Sequence, residues 1–460
     1  MRLFRRFLYG AIMIVFVNLN TIYTFLRVEY QAPLPYMARS FLTAAFTVMA
    51  VLIIIFPQPK RQLTSRIQQL SNGCELLHIF MLSAMAATLF QLYILFWAFK
   101  IIFPWNAASA SLLAHWFFGA LLAFIGEAAV FWGGMLRVYI TSVQLGIKYR
   151  VLGALFAWIP VLNICYLLKI ERICRAEVDF ESEKQLLNEV RAQSRQCETK
   201  YPLLLVHGVF FRDFRYFNYW GRVPAELIKN GATVYYGHQQ SAASVEDSAR
   251  ELAARIRGIV EETGCSKVNI IAHSKGGLDC RSAISRYGAA EYVASLTTVN
   301  TPHNGCLFAE HLLNKIPRGI CFFIARAYNN ALKQMGDSSP DFLAAITDLT
   351  AGACTERNKS TPNAANVLYE SVMSYCIKAK SGKFPLNVSY PIVKRYDGKN
   401  DGLVSVESAR WGENFTLLGP RGKRGISHGD MIDLNRENIE DFDVREFYVS
   451  LVSSLKSRGY

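Results

Sequence analysis

Acidic side chains are almost missing from the first third of the chain. The segment 1–168 holds three of them (Glu29, Glu75 and Glu127) against twelve Lys and Arg, so fewer than one position in ten is charged. The segment 169–460 carries 71 charged side chains, nearly one position in four, as a soluble globular domain does. This scarcity excludes a plain cytosolic enzyme, a disordered chain and a coiled coil. Internal repeats and low-complexity tracts are also missing, which excludes a solenoid or a collagen-like rod. The ten cysteines follow neither a disulfide framework nor a zinc-ligand spacing. Of the net charge of +14, +9 falls within 1–168 beside apolar segments. The rest shows no basic stripe of the kind nucleic acid needs.

What the first third does contain is apolar sequence. A bilayer crossing requires roughly 20 residues. Four stretches, 7–26, 41–56, 79–103 and 111–136, approach or exceed that length. A fifth, 151–168, is shorter and contains Pro160 and Asn163, so it reads either as a span or as a broken hairpin. The basic N-terminal cluster Arg2, Arg5, Arg6 leads straight into these spans and reads as a retained anchor rather than a cleaved signal. Placing the N-terminus inside puts Arg2, Arg5, Arg6, Lys60, Arg61, Arg66, Arg137, Lys148 and Arg150 on the cytoplasmic side and only Arg27 and Arg39 outside. Lys169, Arg172 and Arg175 follow the fifth stretch, so a re-entrant fifth segment keeps the C-terminal part cytoplasmic. Glu127, in the middle of the fourth span, reads as a carboxyl hydrogen-bonded to a neighbouring helix. A membrane domain over 1–170, a polar helical linker over 171–200 and a water-facing domain over 201–460 are therefore expected.

From Tyr201 onward, short apolar runs alternate with helical stretches. Strands are predicted at 202–206, 232–236, 268–272, 295–300 and 390–396. Between them fall helices at 224–230, at 245–263 with Ser244 as N-cap, and from Gly276. Such alternation predicts a mostly parallel sheet covered on both faces. After the third strand comes Ala272-His273-Ser274-Lys275-Gly276-Gly277, a G-x-S-x-G nucleophile elbow with Ala in its first position. In such a turn small neighbours let the chain fold back sharply, and the helix that follows directs its positive end at the serine. Leu204-Leu205-Val206-His207-Gly208-Val209 ends the first strand with the His-Gly pair that accompanies an oxyanion hole. The backbone N–H groups of Val209 and Lys275 are its natural donors, and His207 itself reads as a packing residue.

Taken together, these segments resemble the bacterial triacylglycerol lipases of the α/β-hydrolase superfamily, especially the Burkholderia and Pseudomonas type. The likeness rests on Tyr-Pro-Leu-Leu-Leu-Val-His-Gly at 201–208, Asn-Gly-Ala-Thr-Val-Tyr at 230–235 and Lys-Val-Asn-Ile-Ile-Ala-His-Ser at 267–274. It continues through Thr-Val-Asn-Thr-Pro-His-Asn-Gly at 298–305, Asn-Asp-Gly-Leu-Val-Ser at 400–405 and Ser-His-Gly-Asp at 427–430. None of it touches the membrane part. The resemblance implies an α/β-hydrolase fold, Ser274 as nucleophile, His428 as general base and Asp401 as its orienting acid, in the superfamily's chain order. Asp397 and Asp433 are the rival acids.

The resemblance further implies that 318–336 is a lid helix over an acyl pocket. No cofactor is expected. A calcium ion beside Asp430 is left open, since the second acidic ligand has no counterpart in 379–393. The relatives' disulfide partner is Glu407 here, so that bridge is not expected, which suits a reduced, cytoplasm-facing domain. The leading expectation is a membrane-anchored lipase or esterase acting on lipid acyl esters at the bilayer. A phospholipase, thioesterase or acyltransferase with the same triad stands beside it, as does a membrane scaffold or transporter carrying an inert hydrolase domain. Oligomeric state is not legible.

Overall fold

The computed structural model describes residues 2–59, 63–102, 107–156, 160–209, 218–334, 336–412, 414–419 and 422–460, in two compact units, Met1–Leu187 and Asn188–Tyr460. Lys60 and Arg61 of the charge tally lie outside these residues.

The first unit is helical: α1 (Arg2–Glu29), α2 (Tyr36–Ile55), α3 (Ser65–Ile102), α4 (Ala107–Thr141), α5 (Gly146–Leu155) and α6 (Pro160–Arg191). Among the described residues four helices, α1 to α4, are long and apolar enough to cross a membrane. The fifth apolar stretch is divided, because α5 stops at Leu155 and α6 starts at Pro160, where a residue without an N–H costs a helix nothing. The polar 171–191 segment continues α6.

Apolar burial gives little drive for helix association in lipid, so small residues and polar contacts hold such a bundle. Gly119, Gly126 and Gly133 recur every seven residues on α4. A Cβ at Gly126 would come within 2.8 Å of Val17 on α1, and one at Gly119 would collide with Thr21. Gln91 of α3 donates to Asn18 (2.8 Å) and Thr21 (2.9 Å) of α1, and Ser83 of α3 donates to Glu127 of α4 at 2.9 Å.

In the second unit the strands are β1 (Leu203–Val206), β2 (Val234–Tyr236), β3 (Val268–His273), β4 (Val293–Val299), β5 (Leu368–Ser374) and β6 (Asn414–Leu418). They form one parallel sheet in the order β2-β1-β3-β4-β5-β6. The helices are α7 (Val223–Lys229), α8 (Val245–Thr263), α9 (Lys275–Arg286), α10 (Leu307–Lys315), α11 (Arg318–Gln334), α12 (Phe342–Thr347), α13 (Ala351–Ser360), α14 (Leu386–Asp397), α15 (Val406–Ala409) and α16 (Val444–Ser457).

Alternate strand residues face opposite layers. Leu203, Leu205 and Ile271 pack on Val223 and Leu227 of α7 and Val449 and Val452 of α16. Leu204, Val206 and Ile270 pack on Leu252 and Ile256 of α8 and Ala283 of α9. Covering both faces makes β1 an uninterrupted apolar run and β3 one broken only by Asn269 before it reaches His273. This is the α/β-hydrolase architecture expected from the sequence. Ser244 caps α8 by accepting from the Asp247 N–H, and Gly264 ends it at φ 68°.

One predicted strand is wrong. Residues 390–396 lie in α14, where Leu386, Tyr390 and Val393 turn inward at helical spacing and Pro391 sits on the exposed side. The sheet takes β5 and β6 instead, from 368–374 and 414–418.

The glycine contacts make a direct test. Gly126→Leu should cost the detergent-solubilised protein about 1–3 kcal/mol through overpacking, read as a drop of several degrees in the melting temperature. Gly10→Ala, with open space at its Cβ, should cost nothing.

Candidate active site

The parallel sheet carries the ends of β1, β3 and β4 to the same edge, and three close backbone approaches define the site there. Ser274 stands between β3 and α9 with φ 55° and ψ −132°. Side chains other than glycine rarely adopt that conformation. Its N–H donates to the Val299 carbonyl at 2.9 Å, and Thr301 Oγ1 donates to its carbonyl at 2.7 Å. On the other side the end of β1 presses in. A Cβ at Gly276 would run into the His207 carbonyl, and one at Gly208 would lie 2.8 Å from Ser274 Cβ. Small residues are therefore required around Ser274 on both chain segments.

Asp401 and His428 meet beside this turn. His428 Nδ1 and Asp401 Oδ2 are 2.7 Å apart, and the His428 N–H donates to the Asp401 carbonyl at 3.0 Å. Asp401 is fully buried, and further donors fix it. Leu403 and Val404 N–H groups reach Oδ1 at 2.9 and 2.8 Å, and Asn300 Nδ2 reaches Oδ2 at 2.6 Å. A carboxylate satisfied in this way stays oriented toward one imidazole. The imidazole in turn packs against His273, the residue before Ser274, with ring centroids 4.4 Å apart.

The rival acids are engaged elsewhere. Asp397 accepts the Leu307 and Phe308 N–H groups, both at 2.9 Å, at the start of α10. Asp433 is paired with Arg222 at 2.7 and 2.8 Å.

Val209 follows Gly208, and Lys275 is the first residue of α9. Among the described residues neither backbone N–H donates within the chain. That is as expected for Lys275, since the first N–H groups of a helix lack intrahelical acceptors. The Lys275 ammonium is occupied, donating to Asp279 Oδ1 at 2.7 Å and to Ser248 of α8 at 3.2 Å. Burial pushes the Asp279 carboxyl up to about 6 against the pull of that ammonium. His207 is a packing histidine, bonded to the Gly208 and Gln239 carbonyls.

Asp430 does not suit a calcium ion. Its two oxygens lie on the Arg424 guanidinium at 2.9 and 3.1 Å, and the Ser427 N–H donates to it at 2.7 Å. A fixed cation already sits where a metal would be, and among the described residues no three His, Cys, Asp or Glu side chains converge on a metal position. The segment read as a lid is α11, largely exposed, with Ala325 and Leu332 turned inward; Met335 lies outside the described residues.

Asn300 is the residue that sequence reasoning missed. It holds φ 49° at the end of β4 and links Asp401 to Ser374 of β5. Its signal was its place in the 298–305 motif, to which no role was attached.

Against this geometry the chain compares as follows. It is 34% identical over 188 residues to a triacylglycerol lipase of Burkholderia plantarii, covering 38% of this chain and 51% of that one. Over 181 residues it is 34% identical to a triacylglycerol lipase of Pseudarthrobacter phenanthrenivorans, covering 36% and 55%. Its relatives are triacylglycerol lipases. The chain spans about half the length of these two curated relatives. A triacylglycerol lipase of Saccharomyces cerevisiae is 27% identical over 263 residues, covering 53% of this chain and 74% of its own. Among solved structures, the mature Bacillus licheniformis lipase BlEst2 superposes with a TM-score of 0.41 at 24% identity, over 55% of this chain and 92% of its own. No protein-family model matches.

The buried histidines of this lipase-like unit carry a pH dependence. His273 bonds to the Tyr219 hydroxyl (2.8 Å), and His303 to Thr298 (2.9 Å) and Arg281 (3.2 Å). Burial holds both well below the ordinary 6.5. Unfolded histidines take up protons near pH 6.5 while these two stay neutral, so folded stability falls as pH drops below that value, by up to about 1.4 kcal/mol per pH unit for each. Melting curves between pH 7.5 and 5.5 should show the decline, and His303→Gln should make it shallower while lowering stability overall.

Proposed function

We propose that this chain is a membrane-anchored serine hydrolase that cleaves acyl esters of lipids. The observation that carries the reading is the Asp401–His428 pair at 2.7 Å beside a serine at a strained strand-to-helix turn. In this reading Ser274 Oγ attacks the ester carbonyl while His428 takes its proton. The tetrahedral oxygen is received by the N–H groups of Val209 and Lys275, at the positive end of α9. His428 then returns the proton to the departing alcohol, leaving an acyl group on Ser274. Water activated by the same imidazole releases it. Asp401 keeps the imidazole in the tautomer that presents a free nitrogen to Ser274 and balances its charge when it is protonated. Asn300 holds Asp401. No step calls on a metal.

Helices α1 to α4 fit a membrane anchor by length and composition. The tally of basic residues supports a cell-membrane protein with its hydrolase domain in the cytoplasm. The free state of all ten cysteines suits that compartment. The lipase relatives support a lipid ester as substrate.

Two measurements test this. Purified full-length protein should hydrolyse a series of acyl esters, and Ser274→Ala should reduce kcat/KM about 10⁴-fold or more, with Asp401→Asn near 10⁴-fold. Equal rates for wild type and Ser274→Ala would overturn the reading. For topology, with Cys165, Cys265 and Cys321 replaced by serine, a cysteine introduced at exposed Ser457, the last residue of α16, should resist an impermeant thiol reagent in sealed cells, and labelling there would place the domain outside.

A further inference from the structure

Positive charge gathers in one segment of the second unit, between residues 378 and 399. Residues 188–460 carry a surplus of six positive charges, and residues 378–399 alone account for five. This segment precedes and forms α14, whose inward face is Leu386, Tyr390 and Val393. The outward face is apolar as well. Phe384 stands just before the helix, and Val388, Pro391 and Ile392 lie on it at helical spacing, all four exposed. Phe384, at 82%, is the most exposed aromatic side chain of the unit among the described residues. Lys394 and Arg395 extend from the same helix into solvent. A helix apolar on both faces is ordinarily covered on both, and a contiguous exposed apolar surface rimmed by charge of one sign marks an interaction site.

The chemistry of the rim selects the occupant. A protein partner's core-packing surface would not require such an excess of one charge, whereas an anionic bilayer surface attracts each nearby Lys or Arg by about 1 kcal/mol. An aromatic ring flanked by basic side chains suits the boundary between head groups and acyl chains. The acidic groups near the segment are already committed. Asp397 has both oxygens on the α10 N-terminus, and Glu437 pairs with Lys383 and Arg424, which leaves Lys394 and Arg395 to face the outside. The face is also well anchored to the fold. His311 of α10 packs on Tyr396 of α14, ring centroids 4.4 Å apart, and the chain reaches Asp401 shortly after α14 ends.

We infer that Phe384 and the outer face of α14 form a docking facet that lies on the surface of a bilayer containing anionic lipid. The facet is separate from α11. It rests on the reading of the chain as acting at a membrane, and its test does not depend on hydrolysis.

The test uses the full-length chain with Cys165, Cys265 and Cys321 replaced by serine. Phe384→Cys carries an environment-sensitive fluorophore, and the protein is reconstituted in nanodiscs of phosphatidylcholine alone or with one-third phosphatidylserine. In the anionic discs the label should shift to the blue and lose several-fold in access to an aqueous quencher. High salt should reverse the change by screening, and so should Lys394→Glu with Arg395→Glu. The same label at Ile228→Cys, an exposed position on α7, should not respond. A label at 384 that stays in water in both discs overturns the proposal, as does one that enters both discs alike. Protection that rises with protein concentration in detergent alone would give the face to a second copy of the chain and also overturns it. Loss of activity in Ser274→Ala can fail or succeed without altering any of these outcomes.

Discussion

A serine at φ 55° and ψ −132° does not hold that conformation unaided. Such backbone costs on the order of 1–3 kcal/mol and persists only where the surroundings determine it. Here the surroundings are the ends of two neighbouring strands. Val299 at the end of β4 accepts the serine's N–H, Thr301 just beyond binds its carbonyl, and the His207–Gly208 turn after β1 closes on its other side without room for a Cβ. The site thus depends on parallel register. Shift β1 or β4 by one residue and the contacts that fix Ser274 are lost, because side chains along a strand alternate in direction.

The second organising feature is the way charge is distributed among the buried acids. Asp401, Asp430 and Asp433 are all nearly inaccessible, and Asp397 is close by in sequence. Unpaired, any of them could compete for the imidazole or destabilise the core. Each has its own partner: a guanidinium for Asp430 and for Asp433, a helix N-terminus for Asp397, backbone amides with Asn300 and His428 for Asp401. The pairing of Asp430 with Arg424 also shows what holds the segment around His428. One cation supplied by the chain itself bridges Asp430 and Glu437.

Much of this could be read from the residues alone, and the pattern of success has a physical basis. The strands at 203–206, 268–273 and 293–299 are buried on both faces, so their sequence is largely apolar and unmistakable. The elbow was legible because its requirement for small residues is local. Residues 390–396 misled because Tyr-Pro-Ile-Val combines β-favouring side chains with a proline, while the helical spacing that decides the matter only emerges when Leu386 is counted. β6 escaped notice as a half-exposed edge strand, whose composition records one neighbour rather than two. Asn300 was invisible as a functional residue for another reason. Its role is set by Asp401, 101 positions later, and nothing in its immediate sequence encodes that distance.

The same separation has a temporal side. Ser274 and Asp401 are 127 positions apart, and His428 follows Asp401 by another 27. A ribosome delivers helices α1 to α4 first, then the turn at Ser274, and His428 later still. Parallel strands that pair across long connections assemble late in any case. On the proposed reading, the serine therefore waits as an inert side chain through about a third of synthesis, without its base. On that reading the second unit gains its chemistry only once the chain has been made through His428, long after α1 to α4 have left the ribosome.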